Sequence, residues 1–507
     1  MLARNTIANY VGQGYTIVVA IIVTPMYLGV LGPEGFGLIG FFILFSSWLQ
    51  LLTSGLNPTL ARQVAVFQGG GGLASEEFRS ILRSLEMTVL GLGLFTAGTV
   101  WLASDWIAVS WLNVAELPSY TVANAVAAMG LVAAMRWGVS LYSSGLAGME
   151  QQVWLNGFNI VIATMRNFGG LFLVLQLPSI DAYFQFQVAL SIIEVLIIGW
   201  VFYSRQPSGG RASDPGFRFS FTALRPVLPF TLATTYSALI WVFITQFDKL
   251  LVSKVLPLEL FGYFSFAILL ANGVRRVPDP ITQALLPRLT RLVGAGNHIE
   301  ARGIYNLSTQ LLAVTSFAVA GVIVVFPRQT LMLLTGNEAL TDFNVSFLPW
   351  FAAGNGVLAL STILYMLQVA HGRLRLHVIN STLSATVQVP FLAYLALYHG
   401  PLWLGIAWFV FRLLIFVVLS PIVHRAFAQG SYIRWLLGSV IGPLLGTSGA
   451  LTLCWLADTT LLQSYDLSTR PTLLAILAGY ALVTLAGAVL GARDIRRLSF
   501  ALVTRRQ

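Results

Sequence analysis

The sequence predicts an all-α, polytopic membrane protein of about fourteen transmembrane helices, built as two six-helix lobes repeated in parallel plus two extra C-terminal helices. Three observations carry this prediction. The 507 residues are 57% hydrophobic and only 9% charged, with mean hydropathy +0.79, whereas a soluble fold carries about 25% charged residues. Apolar runs of about 20 residues, the length that crosses the hydrocarbon, recur from end to end. Three loops of the first half reappear in the second at an offset close to 225 residues.

Taken in order, six spans are expected near residues 8–31, 36–58, 84–104, 121–143, 155–177 and 182–203, and six more near 228–256, 261–286, 306–327, 345–369, 378–398 and 402–424. A last pair falls near 435–457 and 471–491. The first apolar segment lacks a small-residue cleavage site, so it is read as a span and not as a signal peptide. This divides the chain into an N-lobe (1–204), a linker (205–225), a C-lobe (226–424) and a C-terminal helix pair with a basic tail (425–507). The linker contains Pro207, Gly209, Gly210, Pro215 and Gly216, residues that punctuate regular structure.

The formal charge of +10 would raise nucleic acid as a partner of a soluble protein. Here the basic residues sit in short loops and report topology instead. With the N-terminus inside, arginine clusters such as Arg79 with Arg83, Arg288 with Arg291, and Arg493 with Arg496 all fall on the cytoplasmic side. Only Lys249, Lys254, Arg328 and Arg470 fall outside. Both termini are therefore expected in the cytoplasm. Gly69 to Gly72 lacks the Gly-Lys-Ser/Thr of a phosphate loop. The lone Cys454 allows no intramolecular disulfide. No metal site, catalytic group or cofactor is expected.

The repeat is specific in its parts. Val30-Leu31-Gly32-Pro33-Glu34-Gly35-Phe36-Gly37 matches Val255-Leu256-Pro257-Leu258-Glu259-Leu260-Phe261-Gly262 at 225. Glu77, Arg79 and Ile81 match Glu300, Arg302 and Ile304 at 223, and Gly148 to Asn156 matches Gly372 to Asn380 at 224. An even number of spans per half makes the repeat parallel, about an axis along the membrane normal, with a central cavity between the lobes. These elements resemble the multidrug/oligosaccharidyl-lipid/polysaccharide exporter superfamily, in its polysaccharide transporter (Wzx-type O-antigen flippase) branch. The resemblance rests on Leu31 to Gly37, on Gly55-Leu56-Asn57-Pro58 with Arg62, on Asp248 to Ser253 before Gly262-Tyr263, and on Leu286-Pro287-Arg288-Leu289. It covers the first twelve spans. It implies two lobes in a V, alternating access, and an undecaprenyl-pyrophosphate-linked oligosaccharide as cargo in a bacterial inner membrane. A polymerase or glycosyltransferase of the same pathway is the protein partner to expect, and the chain itself is read as a monomer. Gly438, Gly442 and Gly446 give the thirteenth span a small-residue face, which points to docking on another helix and not to transport.

Polar residues line one stripe of several helices: Asn5, Asn9 and Gln13 in the first span, Ser47, Gln50, Ser54 and Asn57 in the second, and Asn272, Arg275, Asp279 and Thr282 in the eighth. Cavity lining and interhelical hydrogen bonding both explain such stripes. Arg136, Arg166, Arg275, Arg276 and Arg412 fall well inside spans, each costing at least about 2.5–3.5 kcal/mol at the bilayer centre. Against them stand three acids counted within spans, Glu194, Asp248 and Asp279. The positive surplus calls for a hydrated cavity that receives an anion. Arg275-Arg276 is the sharpest candidate, because Pro278 and Pro280 free backbone carbonyls there and a guanidinium grips phosphate bidentately. An Arg275–Asp279 pair is the structural alternative. Arg136, Arg166 and Glu194, from successive helices, either pair with one another or line the cavity, and Arg412 is read as lining. Asp248 with Lys249 reads as a local ion pair, and Asp248 and Glu194 are the candidates for ion coupling. A multidrug exporter on the same fold would favour acids for organic cations, and a membrane enzyme would need larger outer loops than any here.

Overall fold

In a solvent without water every backbone N–H and C=O must be paired within the chain, so apolar segments of this length fold as helices. The computed structural model describes residues 2–68, 75–206, 219–277, 279–428, 430–460 and 469–496. The described part of the linker thus stops at residue 206 and resumes at 219, and most of the basic tail lies outside the described residues. Ten helices run α1 (Leu2–Val23), α2 (Met26–Leu49), α3 (Leu56–Gln68), α4 (Ser75–Trp106), α5 (Ser119–Gly148), α6 (Gln152–Thr164), α7 (Gly170–Gln176), α8 (Ile180–Arg205), α9 (Phe221–Leu224) and α10 (Leu228–Val255). Then come α11 (Leu258–Arg276), α12 (Asp279–Gly294), α13 (His298–Val325), α14 (Pro327–Thr335), α15 (Glu338–Asn344), α16 (Leu348–Ala370), α17 (Arg375–Tyr398), α18 (Gly400–Phe427), α19 (Tyr432–Trp435), α20 (Gly442–Thr460) and α21 (Arg470–Gly491).

Among the described residues twelve helical segments are long and apolar enough to cross a membrane. Two of the predicted spans, the first and the eighth, are interrupted. The first stops at Val23, because Pro25 has no N–H to continue the ladder, and the chain resumes as α2. Gly32 then bends α2 with φ +73° and ψ 174°. Pro33 bars the residue before it from the helical region, and glycine adopts the remaining conformation without strain. The eighth is two helices, α11 and α12, separated after Arg276 where Pro278 and Pro280 stand in the sequence. Large apolar side chains such as Trp101, Leu102, Trp200 and Leu482 are exposed, a surface that water would not tolerate at this extent and that a bilayer covers.

The chain divides into two compact units, Met1–Gly262 and Tyr263–Gln507, so α10 belongs by contact to the first. In that unit α5 packs between α4 and α8 around Leu82, Leu85, Trp137, Leu141, Ile198 and Phe202. Helices approach closely at small residues, as membrane helices do. A Cβ on Gly145 would lie 2.3 Å from the Phe202 ring, and one on Gly55 would lie 2.1 Å from Thr235 Oγ1 on α10. Thr59 and Thr231 share a buried 2.7 Å hydrogen bond at the same α3–α10 contact. Gly37 and Gly262, the same position in the two copies of the repeated motif, meet directly: a Cβ on Gly262 would lie 2.8 Å from the Gly37 Cα. Glu34 of that motif is buried and accepts backbone N–H groups of Ala115, Glu116 and Leu117 at 2.6, 3.0 and 2.7 Å.

The second unit centres on α13, which packs on α12, α16, α20 and α21. Helices α20 and α21 cross on glycines: a Cβ on Gly446 would fall 2.0 Å from the Gly487 carbonyl, and one on Gly442 would fall 2.5 Å from that of Gly491. Gly442 and Gly446 thus act as the sequence predicts, while Gly438 has nothing within 4 Å and belongs to a π-helical turn, Leu436–Ile441. An apolar groove of about 790 Å³ opens between α13, α16, α18 and α20, lined by residues including Phe317, Phe409, Phe416, Tyr432, Leu436 and Leu451. Helix α20 therefore supplies a groove wall as well as a docking face.

Candidate substrate site

The sharpest candidates gather at the break between α11 and α12. The sequence reading placed Asn272, Arg275, Asp279 and Thr282 on one helical stripe. The chain breaks between the second and third of these, so Asn272 and Arg275 belong to the end of α11, and Asp279 and Thr282 to the first turn of α12. Arg275 is half-buried, Arg276 exposed and Asp279 half-buried. Arg275 interacts electrostatically with both Asp279 and Arg276. Thr282 is buried and its hydroxyl donates to the Asp279 carbonyl at 2.7 Å, which stiffens the new helix start. Two cations and one carboxylate share a stretch of irregular backbone, which a membrane protein tolerates only beside protein or a hydrated cavity.

Asn272 is joined to Arg412 by residues that sequence reasoning passed over. The Asn355 amide donates to Asn272 Oδ1 at 3.4 Å, and Trp408 Nε1 donates to Asn355 Oδ1 at 3.2 Å. The Arg412 guanidinium lies over the Trp408 ring, 4.1 Å from its centroid, a desolvated cation–π contact. Asn355, Trp408 and Arg412 are each buried. The signal for Asn355 and Trp408 was a lone amide and an indole in apolar helices, which reads as core until the partners are known.

In the first unit, Arg166 pairs with Glu194 and donates to Gln187 Oε1 at 2.7 Å. Arg136 interacts electrostatically with Arg166, Glu194 and Tyr183. The structure thus brings together the three residues the sequence proposed as a group, with Arg166 and Glu194 in direct contact. Arg166 sits in a π-helical turn, Met165–Gly169, whose irregular backbone is anchored by Tyr27 donating to the Asn167 carbonyl at 2.9 Å. Such turns are rare and frequent at functional sites. Lys249 and Asp248 form the expected local pair at 3.3 Å, both buried. Of the polar stripes, Gln13 and Gln50 are exposed and Asn57 donates to Ser140 Oγ at 2.8 Å. The side chain of Asn9, like that of Asn5, lies outside the described residues.

The profile of the polysaccharide biosynthesis protein family matches residues 2–293, more than half of the sequence. The chain belongs to that family. No curated protein matches it. Among solved structures it resembles the lipid II flippase MurJ in an inward closed conformation, with TM-score 0.70, 13% identity, and 96% of this chain and 98% of that one covered. It also resembles an inward-facing multidrug resistance MATE transporter of the MOP superfamily (0.64, 16%, 85% and 99%). A third likeness is to a MOP superfamily transporter from Pyrococcus furiosus described by the reverse polarity of its binding pocket (0.56, 16%, 85% and 96%). At these identities the likeness establishes the fold.

For this member of the family the count of acids within spans needs a correction. Glu86 lies within the predicted third span and is buried, a fourth acid beside Glu194, Asp248 and Asp279. It accepts from Tyr142 at 3.0 Å and from Tyr203, and pairs with Arg83 at 3.1 Å. A carboxylate held this way is neutralised within its own cluster, so the other span residues keep an excess of arginine.

Proposed function

We propose that the protein flips an undecaprenyl-pyrophosphate-linked oligosaccharide, an O-antigen or related surface-polysaccharide unit, from the cytoplasmic to the outer leaflet of a bacterial inner membrane. The carrying observation is the gathering of Arg275, Arg276 and Asp279 at broken backbone within a chain of the polysaccharide biosynthesis family. Two guanidiniums offer a pyrophosphate bidentate donors on both phosphates. Asp279 holds Arg275 between cargoes. An organic-cation exporter would need the opposite excess of charge. The apolar groove of the second unit suits a polyprenyl tail, and Asn272, Asn355 and Arg412 offer polar groups to the head. Arg136, Arg166, Gln13, Gln50 and Asn57 are further lining candidates.

The lobes of this reading are residues 1–204 and 226–424, working by alternating access, with both termini cytoplasmic. Coupling falls to Glu194 or Asp248, each of which would release a paired cation when it takes a proton or ion. Turnover then depends on an ion gradient or potential and not on ATP.

The test is flipping of lipid-linked oligosaccharide in ATP-free proteoliposomes with imposed pH, sodium or potential gradients. Wild type flips without nucleotide, and strict dependence on added ATP overturns the coupling. Arg275→Gln abolishes flipping while the protein stays folded, Arg275→Lys keeps part of it, and Arg328→Gln, an exposed change on α14, behaves as wild type. Recovery of flipping in Arg275→Gln with Asp279→Asn would show a structural pair and overturn the binding role.

A further inference from the structure

A second cationic cavity lies in the unit Tyr263–Gln507, away from the α11–α12 break. It has a volume of about 340 Å³, room for roughly ten waters at about 30 Å³ each. Arg302 and Asn306 from α13, Arg434 from α19, and Arg493 and Asp494 after α21 line it, with His424 of α18. In the sequence these arginines are three separate loop charges on the side assigned to the cytoplasm, and as such they need only water. The fold instead turns all three exposed side chains onto one cavity.

The cavity has a built floor. Gln310, on the same face of α13 as Arg302 and Asn306, is buried. It donates to Asp494 Oδ2 at 2.9 Å and accepts from the Asp494 N–H at 2.9 Å. That holds the carboxylate and fixes the end of α21 beside α13. Ser439 is buried in the floor. His424 is buried too, with ring centroids of Trp435, Tyr432 and Tyr305 at 5.3, 5.7 and 6.1 Å. Its ring lies near the Gly430 backbone, yet neither nitrogen meets hydrogen-bond geometry with a described residue, and the Asn306 Oδ1 is likewise buried without one. Three guanidiniums round a buried histidine ring whose nitrogens lack a described hydrogen-bond partner make the donor set of an oxyanion site.

We propose that this cavity binds a phosphate-bearing anion, and that the bound anion ties the C-terminal helix pair to α13 and α18. Phosphate chemistry fits because arginine forks match its oxygens. The ends of four helices place the cavity at one rim of the membrane-spanning core, where basic pockets between helices take anionic headgroups. The site is independent of the cargo reading, since its test measures binding and not flipping.

The experiment is thermal unfolding of the purified full-length protein in micelles doped with phosphatidylglycerol or phosphatidylcholine, and separately with inorganic phosphate against chloride at matched ionic strength. A lipid headgroup is the occupant if phosphatidylglycerol raises the midpoint and phosphate does not; a soluble anion is the occupant if phosphate alone does. Arg434→Gln with Arg493→Gln removes the rise. Asn306→Asp, nearly isosteric and carrying a repelling charge inside the cavity, weakens it at least tenfold in the midpoint concentration of anion. Arg328→Gln, at an exposed ion pair with Asp342 elsewhere, keeps it. Equal responses to phosphatidylglycerol and phosphatidylcholine together with none to phosphate, or an undiminished rise in both cavity variants, would overturn the proposal.

Discussion

At the scale of single residues, charge inside an apolar helix is visible in sequence but its partner is not. Arg166 and Glu194 were recognisable as expensive, yet only the packing of α5, the Met165–Gly169 turn and α8 makes them one ion pair with Gln187 beside it. Glu34 shows the reverse. As part of a repeated motif it looks like a family mark, and the structure gives it a job: it gathers three N–H groups of the loop at Ala115–Leu117. Asn355 and Trp408 stayed hidden because their partners come from other helices, whereas Glu86, inside the predicted third span with Arg83 one turn before it, was legible and missed from the count. The pair at Arg166 yields a prediction. Arg166→Gln removes the cation in contact with Glu194 and leaves only Arg136 near it, so stability falls by up to about 3 kcal/mol, read as a lowered unfolding midpoint. Arg166→Gln with Glu194→Gln removes both charges and recovers most of it. If the double variant is no better than the single, Arg166 does more than neutralise Glu194.

At the scale of elements, hydropathy located the helices well and their interruptions poorly. Apolar length reports burial in lipid and is blind to where the backbone ladder stops. The first predicted span hides the break before Pro25, and the eighth runs across Pro278 and Pro280 as though continuous, while the structure divides it after Arg276. Proline gives the warning in both places; the geometry of the break comes from the helices packed around it. The glycine stripe of the thirteenth span was legible in two of three positions. A Cβ on Gly446 would collide with the Gly487 backbone, whereas one on Gly438 meets nothing. Gly446→Leu therefore separates α20 from α21 and lowers the unfolding midpoint. Gly438→Ala changes it little, since the added methyl enters open space. Equal effects of the two substitutions, measured side by side, would remove backbone contact as the reason for the stripe.

At the scale of the whole molecule, the alternation of spans makes a claim that the contacts inside each unit can check. With the N-terminus inside, the segments near residues 32–34, 112–118 and 256–258 share the outer side, and those near 151 and 206 the inner. In the first unit Glu34 binds the N–H groups of Ala115 to Leu117, the Leu258 N–H donates to the Asn113 carbonyl at 3.0 Å, and Arg205 donates to Gln151 at 2.8 Å. In the second unit the outer Arg470 donates to the Thr335 carbonyl at 2.8 Å, and the inner Gln310 grips Asp494 at 2.9 Å. Each of these contacts joins segments assigned to one side. Each pair is separated by an even number of predicted spans, as partners on one side require; the first and eighth spans lie outside these pairs. The absolute direction rests on arginine asymmetry alone. Cysteines at Ser208 and Ser464, positions outside the described residues, decide it in a background where the buried Cys454 is replaced by Ala. A membrane-impermeant maleimide applied to intact cells labels position 464 and spares 208, and permeabilisation exposes 208. Labelling of 208 from outside would invert the whole molecule. It would set the arginine-lined cavity of the second unit on the outer face and turn the direction of flipping around. Labelling of both positions from the same side would mean that one segment between them fails to cross, and the broken α11–α12 pair is the first place to look.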